Sequence, residues 1–369
     1  MKYVETIVIG GGQAGLAVGY HLAIRGLPFL ILDANQRLGD AWRNRWDSLR
    51  LFTPARYTGL LGFPFPARGD SFPTKDQMAD YLEQYARRFQ LPLQLGTRVS
   101  KLSKEGDRFV IETASQRFEA ANVVVAMADY QIPKLPEFAT ELDPAITQLH
   151  SHDYRNPSQL RDGGVLIVGV GNSGADIGLE VAKTHPTWIS GKETGHIPWP
   201  IESFMGRFVL IRLVRFAGHR IFTVATRVGR KHRPKLLSQA GPLVRVKPRD
   251  LTAAGIKWVP RVEGVRNGLP LLTGNQELDV ANVIWCTGYQ HTFPWIDLPI
   301  FGEDGMPVHE RGIVSQAPGL YFVGLRFLYS MTSSTVTGVS RDAARIAGAV
   351  ESRSRVTAMQ PRLAAAKAS

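Results

Sequence analysis

The chain of 369 residues is 44% hydrophobic and 21% charged, ordinary values for a globular protein with room for about two or three domains. Its one cysteine, Cys286, excludes an internal disulfide, a cysteine metal cluster and a CxxC redox pair, and with that pair the thiol reductases built on one. The 44 Lys and Arg exceed the 32 Asp and Glu to give a net charge of +12, yet no recognition motif accompanies the charge, so nucleic acid is not expected as a partner.

In chain order, a short apolar strand leads into Gly10-Gly11-Gly12-Gln13-Ala14-Gly15. A helical pattern follows to about Gly26, and a second strand, Pro28 to Leu32, stops at Asp33. Strand, glycine turn, helix, strand and acid is the order of a dinucleotide-binding unit. Gly10 permits the tight turn, Gly12 lets backbone approach a pyrophosphate, and Gly15 lets helix and strand pack closely. The helix opens on Gln13 and Ala14, with free N–H groups and a positive dipole end for phosphate. Asp33, with Ala34 beside it, is placed to accept hydrogen bonds from a ribose diol. The first strand starts within a few residues of Met1, so no signal peptide is expected. No run of about 18 uncharged apolar residues occurs, so no spanning helix is expected either. The location that follows is cytoplasmic.

Arg37 to Phe72 is rich in aromatics and proline with little helical pattern, and a loop of that length usually lines a ligand. Thr74 to Phe89 reads as a helix capped by Thr74, with Met78, Tyr81, Leu82 and Tyr85 on its apolar face. Strands are expected at Leu93–Leu95, Val99–Leu102, Phe109–Thr113 and Phe118–Ala120, then a separate buried strand at Asn122–Ala126. Pro133 to Pro157 reads as a linker.

The glycine device then returns. Gly164 to Val168 is a strand, Gly169-Val170-Gly171-Asn172-Ser173-Gly174 the turn, a helix runs to about His185, and Thr187–Ser190 is the next strand. Here the strand ends in Ser190-Gly191-Lys192 with no acid. A hydroxyl and a cation there suit a 2′-phosphate, which favours NADP(H) over NAD(H), although Glu193 stands next door.

Between Ser203 and Arg249 there are twelve Lys and Arg and no Asp or Glu. Phe204 to Arg230 has helical periodicity: Arg212, Arg215, His219, Thr223, Arg227 and Arg230 form one stripe, with Leu210, Val214, Ala217, Ile221, Val224 and Val228 opposite. One reading is a helix that covers the protein's own core and shows a solvated basic face. Another is contact with an anionic membrane surface through residues 204–235, and a third is a docking face for a partner or a substrate channel. Val283 to Tyr289 and Leu320 to Gly324 read as buried strands ending in glycine turns that bring the chain back to the first sheet. Ser340 to Val350 is the closing helix, with a mobile tail after Glu351. The fold class expected is α/β, with two Rossmann-like units: a first domain of residues 1–155 and 280–369, and a second of 160–279 inserted into it.

These motifs together resemble the bacterial flavin-containing monooxygenases of the short, two-domain kind. The residues that carry the likeness are the two glycine turns, Gly39-Asp40-Ala41-Trp42, Ser48 to Pro54, His150-Ser151 with Tyr154, Cys286-Thr287-Gly288-Tyr289 and Tyr321-Phe322-Val323-Gly324. The resemblance implies FAD on the first turn, NADPH or NADH on the second, and a flavin C4a-hydroperoxide that oxygenates sulfur, nitrogen or a carbonyl of a small molecule with dioxygen. An NAD(P)H:acceptor reductase or oxidase is the alternative. Departures occur at Pro144 and Ile146, where the linker fingerprint has Phe and Gly, and at Phe52, where many members place Asn.

On this resemblance Trp42 and Leu51 to Pro54 wall the flavin, and Asp40 reaches its ribityl chain or the nicotinamide. Val99 offers backbone to adenine. Thr287, Gly288 and Tyr289 line the nicotinamide cleft. Gly324 and the hydroxyl cluster Ser330 to Thr337, including Thr335, face the flavin's pyrimidine edge. The cofactor is the expected reactive centre, so no catalytic side chain is assigned and no metal ligands are expected. Cys286 is expected to be a small buried residue and not a nucleophile.

Overall fold

The computed structural model describes residues 2–127, 130–238, 241–290 and 292–368, with side chains through residue 356. The chain opens with β1 (Lys2–Ile9), α1 (Gln13–Ala23) and β2 (Leu30–Leu32). The short α2 (Asp40–Arg43) lies in the long loop, and α3 (Lys75–Arg88) follows it. Thr74 and Gln77 form a reciprocal capping box that starts α3. The expected face, Met78, Tyr81, Leu82 and Tyr85, is buried. Two of those residues also order the loop: the Tyr81 hydroxyl accepts from Leu60 N–H and donates to Phe63 O, and the Tyr85 hydroxyl donates to Leu61 O. A long irregular segment thus acquires fixed backbone partners from one helix.

Next come β3 (Leu93–Gln94), β4 (Val99–Glu105), β5 (Arg108–Thr113) and β6 (Arg117–Val125). The strands expected at Phe118–Ala120 and Asn122–Ala126 are one continuous β6. Its first half pairs antiparallel with β5, while the whole strand runs parallel to β1. The first sheet has the order β3-β2-β1-β6-β5-β4, with Leu320–Phe322 from near the C-terminus parallel to β6. Val8 sits opposite Ile31 on one side and Val124 on the other. Apolar runs buried on both faces are what a covered parallel sheet demands.

The second sheet takes up β8 (Thr147–His150), β9 (Val165–Val168), β10 (Thr187–Ser190), β11 (Lys257–Val259) and β15 (Asn282–Trp285), in the order β11-β10-β9-β15-β8. Helix α4 (Asn172–Val181) joins β9 to β10. The hairpin strands β12 (Val262–Arg266), β13 (Leu269–Leu272) and β14 (Gln276–Glu277) lie between β11 and β15. One expectation is corrected here. The strand ending near Gly288 does not return to the first sheet: β15 runs parallel between β9 and β8. Val283 and Trp285 enter one core cluster and Ile284 another, so the strand needs a covered place in the middle of a sheet. Residues 147–150 and 282–285 therefore belong to the second sheet, inside the boundaries expected at 155 and 280. The chain passes between the sheets as two short strands, β7 (Ile132–Pro133) and β16 (Tyr289–Gln290), which pair antiparallel. The strand from near the C-terminus, β17 (Leu320–Phe322), returns to the first sheet as expected.

The basic segment departs further. It is not one helix. A π-helical turn at Gly206–Leu210, α5 (Ile211–Phe216) and a second π turn at Ala217–Ile221 stop at Phe222, and α6 (Arg227–Ser238) begins after the break. The break is where the backbone leaves the helix to bond the loop before the last helix: Val224 N–H donates to Tyr329 O, and Met331 N–H donates to Phe222 O. The two faces are also not sorted as expected: Arg212, Arg227 and Arg230 are exposed, but the rest of the polar stripe turns inward. Arg215 packs on the Tyr57 ring at 4.2 Å, and Thr223 is buried. Of the expected apolar stripe Val214, Ile221 and Val228 are exposed, and outside it Phe204 stands at 73%, Leu213 at 60% and Phe216 at 60% exposure. The reading of one helix that buries its apolar face and keeps its basic face in solvent is therefore overturned, although Arg212, Arg220, Arg227 and Arg230 are exposed. Helix α7 (Pro248–Ala253) precedes β11, and α8 (Val336–Ala368) closes the chain. It starts four residues before the expected Ser340 and runs through the segment expected to be a mobile tail. Among the described residues no helix is long and apolar enough to cross a membrane.

Candidate functional site

The two glycine turns have nearly the same backbone. Gly10 has φ +107° and Gly169 φ +113°, values open to glycine and strained for other residues. Their N–H groups donate to Leu32 O and Ser190 O, each at 2.8 Å. A Cβ built on Gly15 would stand 1.8 Å from Gly10 O, and one on Gly174 would stand 2.0 Å from Gly169 O. Around Gly12 and Gly171 the opposite holds: nothing lies within 4 Å of an added Cβ. Helices α1 and α4 begin at these glycines with no side-chain cap. Each turn thus offers uncapped N–H groups at a helix start, beside open space that a side chain would fill. The residues fit a bound dinucleotide at both places.

The partners of the two turns differ. Asp33 is buried. Its carboxylate accepts from Gly11 N–H at 2.6 Å and from the backbone and side-chain N–H groups of Asn35 at 2.8 and 2.9 Å. The acid therefore braces the glycine turn, and Ala34 is half-buried beside it. Val99 begins β4, opposite Thr113, while Thr97 N–H, two residues earlier, is the group bonded to Asp33 O. In the second unit the Ser190 hydroxyl donates to Pro260 O at 2.8 Å and accepts from Val262 N–H at 3.2 Å. That hydroxyl holds the sheet to the next segment. Of the pair expected to meet a 2′-phosphate, only the exposed Lys192 stands free of such bonds among the described residues. Ser173 is half-buried at the start of α4. Asn172 is tied sideways: its Nδ2 donates to Pro242 O and its Oδ1 accepts from Val244 N–H.

The expected wall residues Leu51 and Trp42 come together with parts of both ends of the chain. Ala14, Leu51 and Val336 share one buried cluster, with Trp42 packed against it. Gly324, with φ +88°, would place a Cβ 3.0 Å from that of Ala14, so the turn after β17 abuts the start of α1. Gln13 is half-buried there. Thr335 precedes α8 and its hydroxyl donates to Thr332 O. Asp40 is not turned toward an open ligand space alone: its carboxylate lies 3.4 Å from Arg43. Phe52, where an amide side chain was missing, carries the Arg245 guanidinium over its ring at 5.4 Å.

Tyr289 belongs to a knot of side chains at the paired crossing strands. Its hydroxyl accepts from Arg45, and its ring packs edge-on against Tyr130 and His150, each 5.2 Å away. His152 N–H donates to His150 Nδ1, which leaves the proton on Nε2 to donate to Gly288 O at 3.0 Å. Burial holds His150 below the usual histidine range, in keeping with that neutral form. Lys134 N–H also donates to Gly288 O, and the Thr287 hydroxyl donates to Lys134 O. Thr287 and Gly288 thus bind the crossing strands by these atoms. Cys286 is partly buried against the second core, and burial pushes its thiol up to about 12, far from thiolate chemistry.

Two residues went unnoticed in the sequence. Arg245 donates to Leu51 O and Arg50 O of the long loop and lies 4.0 Å from Asp176 on α4. Burial raises Asp176 to about 6, with Arg245 opposing and Glu180 adding to the rise. Arg245 lies 195 positions from Arg50 and 194 from Leu51, so no local pattern could have paired them.

A family model described as "Pyridine nucleotide-disulphide oxidoreductase" matches residues 7–190, a span that holds both glycine turns. The CzcO-like oxidoreductase of Geobacillus kaustophilus is 37% identical over 344 residues, 92% of this chain and 96% of that one. A flavin-containing monooxygenase from Stenotrophomonas maltophilia is similar in structure, with TM-score 0.74, 27% identity, and coverage of 96% of this chain and 99% of that one. The chain belongs to the bacterial flavin-containing monooxygenase family. It is a flavin-dependent oxidoreductase of the monooxygenase kind, with two Rossmann-like units and with FAD and a pyridine nucleotide as cofactors. The CzcO oxidoreductase of Bacillus subtilis, 32% identical over 341 residues, 92% of this chain and 96% of that one, is a further relative. The disulphide chemistry in the name of the family model has no thiol pair to use here, because Cys286 stands alone.

Proposed function

We propose that this enzyme holds FAD on the Gly10–Gly15 turn and NADPH on the Gly169–Gly174 turn, and uses them with dioxygen to oxygenate a soft nucleophilic atom of a small molecule. The observation that carries the reading is the pair of turns, each closed tightly at one glycine and open at the next. The bound flavin, once reduced, supplies the activation of oxygen. The protein's part is position and shelter. Asp33 braces the first turn through Gly11. Leu51 and Trp42 offer apolar walls, and Arg245 fixes the loop that carries Leu51 through two of its carbonyls. Arg45, Tyr130 and Tyr289 pack together where the crossing strands meet. Lys192, exposed and without a partner among the described residues, supports NADPH over NADH. Sheet membership supports domain crossings at residues 132–133 and 289–290.

The test is reduction by NADPH without air, followed by admission of oxygen. A flavin spectrum that is neither reduced nor oxidised, and that decays slowly, is the expected result. Immediate return of the oxidised spectrum, with one hydrogen peroxide released per NADPH, overturns it in favour of an acceptor reductase or oxidase. Phe52 in place of an amide is the observation that favours that second reading.

The outward apolar residues Phe204, Leu213 and Phe216, beside Arg220, Arg227 and Arg230, support contact of the 204–235 segment with an anionic membrane surface. Sedimentation with phosphatidylglycerol vesicles at low salt tests it, and a protein that stays in the supernatant removes it.

A further inference from the structure

A cavity of about 670 Å³ lies where the basic segment meets the loop before α8. Its lining includes Arg212, Arg215, Arg220, Arg341, His219 and Tyr329, and no acidic residue. The cavity is built, not incidental. Arg341 donates to Ser330 Oγ at 2.7 Å and to His219 O at 2.9 Å, and lies over the Tyr329 ring at 4.3 Å. Arg215 covers the Tyr57 ring at 4.2 Å, and Arg212 donates to the Tyr57 hydroxyl at 3.1 Å. His219 Nδ1 is 3.0 Å from the Thr332 hydroxyl.

The charges in it are unbalanced. Among the described residues one of the four guanidiniums meets a carboxylate: Arg341 Nε lies 3.9 Å from Asp342, which does not line the cavity. The Nε atoms of Arg215 and Arg341 are buried without a hydrogen-bond partner. Gathering guanidiniums in a partly dry space is unfavourable unless an anion joins them. Unused N–H donors in that space carry a further desolvation cost. A planar guanidinium pairs best with a carboxylate, through two parallel bonds. The volume lies in the range of small-molecule sites, and Tyr329 and Phe216 supply apolar surface for the rest of a ligand. The loop that forms the cavity wall, Tyr329 to Thr332, runs directly into Thr335 and the start of α8, where Val336 shares a core cluster with Leu51.

We propose that this cavity is the substrate site and that the substrate is an organic carboxylate with an apolar or aromatic body, held by Arg215 and Arg341 with Arg220 at the mouth. The inference rests on the oxygenase reading for calling the ligand a substrate. The cationic site itself stands on geometry alone.

Calorimetric titration of the FAD-loaded protein with 3-phenylpropionate, its neutral amide, inorganic phosphate and glycerol phosphate tests the proposal. The carboxylate is expected to bind at least 10-fold tighter than the amide and than either phosphate. Arg341→Gln is expected to weaken it at least 10-fold with flavin content unchanged. Arg220→Gln, at an exposed position where folding is not at stake, is expected to weaken it about 3-fold. Equal binding of acid and amide, no binding of the acid at 10 mM, or tighter binding of inorganic phosphate each overturns the proposal. Tighter binding of glycerol phosphate overturns it in favour of an acidic lipid headgroup. A protein that holds flavin and oxidises NADPH but shows any of these results loses the carboxylate site and keeps the oxygenase reading. A protein that holds no flavin loses the latter.

Discussion

The two nucleotide turns are built alike and finished differently. Their first glycines differ in φ by only a few degrees, +107° against +113°, and their closest glycine contacts are 1.8 and 2.0 Å. Past the second strand the likeness ends. The first unit places a buried acid that grips its own turn through Gly11 N–H, whereas the second places a hydroxyl spent on the sheet and a lone exposed lysine. The helices differ as well. At equivalent steps α1 carries the buried Ala17, and α4 carries Asp176, an acid whose side chain is 10% exposed and faces Arg245. The backbone device is therefore general, while what distinguishes one dinucleotide from another sits in side chains beyond it.

The strongest way to break that comparison is at the closing glycines. Gly15→Ala forces a methyl group into Gly10 O, and Gly174→Ala forces one into Gly169 O, with backbone on both sides and nothing flexible to yield. Each is expected to cost about 3 kcal/mol or more. The melting temperature should fall in both. If the units fold with some independence, Gly174→Ala keeps flavin while Gly15→Ala loses it. A variant of either kind with unchanged melting temperature and cofactor binding contradicts the packing described.

Asp176 sharpens the contrast between the helices. Its folded pKa of about 6 lies above the ordinary carboxylate value of 3.8. The folded state therefore binds this proton more tightly than the unfolded chain. The stability it contributes is present below the unfolded value and is lost as pH rises from about 4 through 6. Asp176→Asn should remove that loss. It is expected to be about 1–3 kcal/mol more stable than the parent at pH 7.5 and nearly equal at pH 4, by denaturant unfolding at both pH values. A parent protein whose advantage over the variant grows with pH refutes the assignment.

The open glycines test cofactor binding without disturbing the fold. A methyl at Gly12 or Gly171 meets no protein atom, so the cofactor-free stability should stay within about 0.5 kcal/mol. The dinucleotide should bind about 10-fold or more weakly, because the methyl takes the place where backbone approaches phosphate. Unchanged affinity in both variants denies the turns their role. The smallest effect is expected from Lys192→Ala, about 5- to 10-fold in KM for NADPH with NADH unaffected, the loss of one charged contact at the surface. Equal effects on the two nucleotides show that Lys192 does not meet the phosphate.

Much of this was legible residue by residue. The glycine pattern, the capping box at Thr74 and Gln77, and the buried face of α3 are governed by contacts within a few positions, where steric and hydrogen-bond rules act directly. The paired crossing strands and the place of β15 were not legible. An apolar run such as Asn282–Trp285 states that it must be covered on both faces, and says nothing about which sheet covers it.

The basic segment marks the boundary most clearly. Its periodicity foretold two faces, and the sequence alone determined that one would be charged and the other apolar. Tertiary structure decided which residues of each face turned inward. The loop at Tyr329–Met331 needed backbone partners that broke the helix at Phe222, and the ring of Tyr57 and the hydroxyl of Thr332 took up Arg215 and His219. A helical stripe encodes a spacing, whereas its orientation depends on the groups that more distant parts of the chain bring against it.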